Sequence, residues 1–78
     1  MSNYEKYKLT YMNVLGLDSD ISLESLRYRD SGWDSVAHMV LMSEIENNFN
    51  IMLNTDDVID FSSFEKGKEI LRKYGVEL

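Results

Sequence analysis

Gly32-Trp33-Asp34-Ser35-Val36 sets a carboxylate and a hydroxyl side by side, immediately ahead of an apolar stretch that runs to Phe49. An aspartate at that position reads as a helix N-cap, and the serine after it falls in the first turn. Unpaired backbone N–H groups and the positive end of the helix dipole both favour an anion there, so a phosphodiester on Ser35 is well tolerated. The chemistry implied is attachment of a phosphate-linked group rather than catalytic turnover. Asp-Ser also occurs at Asp18-Ser19 and Asp30-Ser31, and the dipeptide alone is unspecific. Only Asp34-Ser35 follows a glycine-containing turn and directly precedes a long apolar helix. The plainer alternative leaves Asp34 a cap and Ser35 an ordinary first-turn residue.

The chain offers little other chemistry. It has no cysteine and a single histidine, His38, one turn after Ser35. No disulfide framework, thiolate metal site or thiol nucleophile is available, and neither a nucleophile–base pair nor a zinc site can be assembled. His38 reads as a solvated surface histidine, with tuning of the phosphate or contact with a partner as the sharper alternatives. Asn54 to Asp60 lacks the ligand spacing and closing glutamate of a calcium loop. The remaining carboxylates are scattered and form no convergent acid–base pair, so no enzyme is expected.

The elements that must hold Ser35 follow from periodicity. Ser2 with Glu5 is a capping-box pattern, and Tyr7, Tyr11, Val14 and Leu15 recur at helical spacing, predicting a helix over about 3–15 that Gly16 stops. Residues 17–33 form a long, turn-rich connection pinned by Leu17, Ile21, Leu23 and Leu26. A second helix is predicted from Asp34 or Ser35 to Asn48–Asn50. Its apolar set (Val36, Met39, Val40, Leu41, Met42, Ile45, Phe49) is wider than one stripe, which implies deep burial or a second face for a partner. Met39 and Met42 suit either core filling or an adaptable pocket. Thr55-Asp56-Asp57 opens a short helix through Phe61, and Ser62-x-x-Glu65 is a second capping box for a last helix with Phe64, Ile70, Leu71 and Tyr74 inward and Gly75 as its stop. No segment alternates with period two. The expected fold is all-α, one domain over 1–78, a four-helix bundle of three longer helices and one short one.

The chain has 78 residues and a formal charge of −6. The negative excess is confined to the stretch from Asp30 to Glu65, which contains Asp30, Asp34, Glu44, Glu46, Asp56, Asp57, Asp60 and Glu65 and neither lysine nor arginine. Nucleic acid needs the opposite sign, so a basic protein surface is the natural complement. No apolar run approaches the roughly 20 residues of a membrane span, and no leader-like segment opens the sequence. A cytoplasmic monomer is the expectation.

Leu26 through Val36, Ile45-Glu46-Asn47-Asn48-Phe49, Ile51-x-Leu53 and Ser62-Ser63-Phe64 together resemble the acyl carrier protein family, the phosphopantetheine-dependent carriers. There a Gly-x-Asp-Ser-Leu motif precedes a helix that a Leu-Glu-x-x-Phe segment closes, and an extended stretch leads to a short third helix. The resemblance spans nearly the whole chain. It implies that Ser35 receives 4′-phosphopantetheine from coenzyme A through a phosphopantetheinyl transferase, and that the arm's thiol holds an acyl or aminoacyl group as a thioester. It also implies that Asp34 lies beside the transferase's magnesium, where a carboxylate can share a hard cation with the pyrophosphate of coenzyme A. Further partners are a loading ligase and acyltransferases with basic patches.

Fatty-acid carriers of this kind often place acids within two turns after the serine, whereas this chain has Val36-Ala37-His38-Met39-Val40-Leu41-Met42. That departure points to a dedicated pathway and to partner contacts through Val36, Met39, Val40, Glu44, Asp56 and Asp57. Trp33 belongs with them if it stands exposed beside the serine, although packing of the loop is its favoured role. The rival reading is a small acidic interaction domain of carrier-like fold that is never modified.

Overall fold

The computed structural model describes residues 1–19 and 21–78. It is all-helical: α1 is Asn3–Leu15, α2 Ser35–Phe49, α3 Thr55–Asp60 and α4 Phe64–Lys73, with a 3₁₀ turn at Leu23–Ser25 inside the long α1–α2 connection. Strand pairing among the described residues is limited to one isolated antiparallel bridge between Arg27 and Ser63.

Local chemistry sets the helix ends. Ser2 caps α1 by accepting the Glu5 N–H, and Gly16 closes it in the left-handed conformation at φ +63°. Asn50 closes α2 in the same region, and the Glu46 carboxylate accepts the Leu53 N–H at 2.8 Å, fixing the extended stretch towards α3. The last helix begins one residue later than its capping pattern suggests: Ser63, not Ser62, accepts the Lys66 N–H. Ser62 is engaged differently, its carbonyl accepting the Tyr28 N–H at 2.9 Å, so the connection runs on extended for one more residue. The short helix likewise ends at Asp60, with Phe61 as its C-cap.

The core is aromatic at its centre. Tyr7, Tyr11, Trp33, Phe61 and Phe64 are buried together with Leu41, Ile45, Ile70 and Leu71. Tyr7 donates its hydroxyl proton to the Phe64 carbonyl at 2.8 Å, which leaves Tyr11 as donor in the 2.9 Å bond between the two phenols. Burial pushes both phenols far above their ordinary titration range, so this chain of bonds stays protonated. Leu23 and Leu26 are buried and Leu17 and Ile21 half-buried, as anchors of the long connection should be. Reciprocal backbone bonds from Tyr28 N to Ser62 O and from Phe64 N to Leu26 O fasten that connection to the α3–α4 junction.

Candidate functional site

The turn before Ser35 is held by its own backbone. Asp30 N–H bonds Arg27 O, Trp33 N–H bonds Asp30 O and Arg29 N–H bonds Trp33 O, at 2.8–2.9 Å. Gly32 sits at φ +83°, where a side chain would be strained although nothing lies within 4 Å of the Cβ it would carry. Asp34 is the N-cap of α2, and its carboxylate accepts the Ala37 N–H at 2.9 Å. The first intrahelical bond runs from His38 N to Asp34 O at 2.8 Å, so the N–H groups of Ser35 and Val36 precede the ladder and have no intrahelical acceptor.

Ser35 is the first residue of α2 and is exposed. Ser19 and Ser31 are exposed as well but lie in turns, so helix position, not exposure, separates the three Asp-Ser pairs. Ser35 also stands on the edge of a cleft of ≈ 350 Å³ between α2 and α3, lined by Tyr28, His38, Met39, Val58, Ile59, Phe61 and Ser62. A mostly apolar recess of that size, with a few polar groups at its edge, is of ligand-binding dimensions. An exposed hydroxyl at a helix start with free space beside it fits a covalently attached, phosphate-linked arm.

The other expected residues divide by burial. Val36, Met39 and Val40 of α2 are 73%, 61% and 47% exposed, and Glu44 and Asp56 are exposed acids. Trp33 is 0% exposed, packed edge-on against Tyr11 and Tyr28. The bundle therefore uses its indole as a core anchor, and Trp33 is not a surface contact in this structure. Asp57 is 4% exposed, covered by Lys73 Nζ at 2.6 Å and the Tyr74 hydroxyl at 2.5 Å. It ties α3 to the end of α4 and does not face a partner. These two bonds, Lys73 first, hold its carboxyl below the ordinary aspartate range.

His38 departs from expectation. It is half-buried, accepts from Trp33 Nε1 at 3.0 Å and lies 2.8 Å from the Val58 carbonyl. Met42 belongs to the core, whereas Met39 lines the cleft. The α3 wall of the cleft had a signal in the sequence: Val58 and Ile59 are adjacent on a six-residue helix and cannot both turn inward, and Ile59 is 72% exposed. Tyr28 and Ser62 had none, because the backbone pairing that brings them together spans distant positions.

Among the described residues no group of three or more His, Cys, Asp or Glu side chains is arranged to hold a metal ion, and no helix is long and apolar enough to cross a membrane. A family model described as a phosphopantetheine attachment site matches residues 12–66, a segment that contains the turn, Ser35, α2, α3 and the start of α4. No curated protein and no solved structure matches the chain. The family is one that binds covalently attached 4′-phosphopantetheine. With the Gly-x-Asp-Ser motif, the exposed serine at the head of α2 and the step from α2 to α3 all inside the matched segment, the chain belongs to the phosphopantetheine attachment family and is a phosphopantetheine-carrying carrier protein.

Proposed function

We propose that residues 1–78 act as one non-catalytic carrier unit, modified at Ser35, that presents a thioester-bound acyl or aminoacyl group to the enzymes of a dedicated pathway. The observation that carries this reading is the exposed Ser35 hydroxyl at the first position of α2, beside the α2–α3 cleft. Ser35 Oγ would form the new bond to the phosphorus of the pantetheine half of coenzyme A and give up its proton, while the adenosine half leaves with the other phosphate. The attached arm supplies a terminal thiol for thioester chemistry, which this cysteine-free chain lacks.

The chain's own residues position and expose. Asp34 fixes the first turn through the Ala37 N–H and leaves its second carboxylate oxygen available to a magnesium ion carried by the transferase. The Ser35 and Val36 N–H groups and the helix dipole favour the phosphodiester once formed. Val36, Met39 and Val40 present an apolar contact to a phosphopantetheinyl transferase, a loading ligase and acyltransferases, and Glu44 and Asp56 steer basic patches on those enzymes. A tether of fixed length raises the effective concentration of cargo at each partner.

Incubation with a fluorophore-bearing coenzyme A analogue and a promiscuous phosphopantetheinyl transferase tests the assignment. Label should appear on one peptide containing Ser35 and vanish in Ser35→Ala. Label on Ser19 or Ser31, or none on the folded chain, would refute it.

A further inference from the structure

The His38 ring touches two elements through its two nitrogens. Nδ1 lies 3.0 Å from the Trp33 indole nitrogen and Nε2 2.8 Å from the Val58 carbonyl oxygen. An indole N–H only donates and a carbonyl only accepts, so Nδ1 must offer a lone pair while Nε2 carries the proton. One state of the ring satisfies both contacts: the neutral Nε2–H tautomer. We propose that His38 is a positioning residue for the Ser35 turn, a protonation-sensitive latch that ties Trp33 to α3 and sets the width of the cleft beside Ser35. Its bearing on the arm rests on the Ser35 assignment; the latch itself does not.

Protonation places an N–H on Nδ1, facing the indole N–H. Two donors then oppose each other, and the buried Trp33 loses its acceptor. The indole cannot give way, being 0% exposed and wedged between Tyr11 and Tyr28. The imidazole must move, and in moving it withdraws Nε2 from Val58. On its other side α3 stays tied to α4 by Asp57 with Lys73 and Tyr74. Release of the His38 contact therefore loosens the cleft-facing side of a six-residue helix and leaves its far side attached.

The surroundings leave His38 as the group that switches. From the long connection, Tyr28 meets the ring edge-on at 5.7 Å, with the Arg29 guanidinium stacked on Tyr28. Phe61 meets it from the α3–α4 junction at 6.5 Å. On α2 itself, Asp34 is engaged by the Ala37 N–H. On α3, Asp57 is bonded to Lys73 and Tyr74, and Asp60 lines a separate recess against Lys66 and Glu69 of α4. Among the described residues the titratable side chain against the imidazole is thus the Tyr28 phenol, and no carboxylate faces the ring.

Ring-nitrogen NMR on the full, unmodified chain tests the proposal, read together with the single indole N–H resonance and amide exchange across Val58–Asp60. At neutral pH the ring should be the Nε2–H tautomer. On mild acidification the indole resonance and the α3 amides should respond with the midpoint of the ring itself, the protection factors, taken relative to the intrinsic exchange rate at each pH, falling about fivefold, the factor one hydrogen bond commands. In His38→Gln the amide can accept from Trp33 and donate to Val58, so neutral-pH protection should be kept and the acid response lost. An Nδ1–H tautomer at neutral pH, an indole and α3 indifferent to ring protonation, or an unchanged acid response in His38→Gln would each overturn it. Every reading is made on unmodified protein, so a serine that accepts no arm would not register here, and a failed latch would leave labelling of Ser35 untouched.

Discussion

On the proposed reading Asp34 carries two duties with one carboxylate, and substitutions can separate them. Its Oδ1 closes the first turn of α2 on the Ala37 N–H, a capping bond worth about 1 kcal/mol. Asp34→Ala should lower stability by that amount in urea melts, and it should slow modification of Ser35 more than the lost stability explains, because the second oxygen is then also missing. Ser35→Ala is the control: the side chain is exposed, and its removal should change stability by no more than about 0.5 kcal/mol. Equal labelling rates for wild type and Asp34→Ala would reduce Asp34 to a cap. The cap and the serine were legible in the sequence because both act within four residues of each other. Packing was also the favoured reading of Trp33, which is buried against α1 and the loop, whereas the role of His38 was not legible, since the ring's acceptor on α3 is twenty residues away.

The short helix α3 decides the shape of the cleft, and it is held from outside itself. Six residues cannot stabilise a helix alone, so Asn54 caps it and Asp57 ties it to Lys73 and Tyr74. Asp57 is held below the ordinary aspartate range, chiefly by Lys73, and Lys73 is raised in turn by Asp57. A lowered aspartate stabilises the fold fully above about pH 4, where the unfolded carboxyl ionises, and that contribution goes as pH falls through the folded value. A raised lysine contributes fully below about pH 10 and loses its share as pH rises through its folded value. The tie is therefore whole at neutral pH. Asp57→Asn should lower the urea midpoint at pH 7 and lose less further stability than wild type on going to about pH 3; parallel losses would remove the tie from the account.

Packing of α4 offers a second test of the same architecture. A Cβ at Gly67 would collide with the Tyr7 hydroxyl and with two ring carbons of Phe61, all of them buried. Alanine gains about 1 kcal/mol of helix propensity there, against about 1–3 kcal/mol for overpacking a rigid aromatic site. Gly67→Ala should therefore lower the melting temperature, and an increase would mean that the Tyr7–Phe61 contact yields. Helix positions and the inward residues of α4 followed from periodicity. The Ser63 cap did not, because Ser62 is drawn away by Tyr28, a pairing that local pattern does not encode.

Across the whole surface, charge and apolar exposure are arranged around Ser35. The negative excess of the chain is confined to the stretch from Asp30 to Glu65, which also exposes Val36, Met39, Val40 and Ile59. On the proposed reading these apolar side chains form a contact surface beside the modified serine, and the acids around them favour approach by basic enzymes. Met39→Ala should weaken capture by a transferase about tenfold, the effect of one central apolar contact. Glu44→Gln should chiefly slow association, and only at low salt. Calorimetry and stopped-flow mixing of the same two variants check both, and the reverse ranking would make the contact electrostatic.

Intact mass of the folded chain after incubation with coenzyme A, magnesium and a promiscuous phosphopantetheinyl transferase tests the central claim most directly. Wild type should gain the mass of one phosphopantetheine, once, and Ser35→Ala should gain nothing. An unchanged wild-type mass, or a gain that survives in Ser35→Ala, would contradict the assignment of the arm to the head of α2.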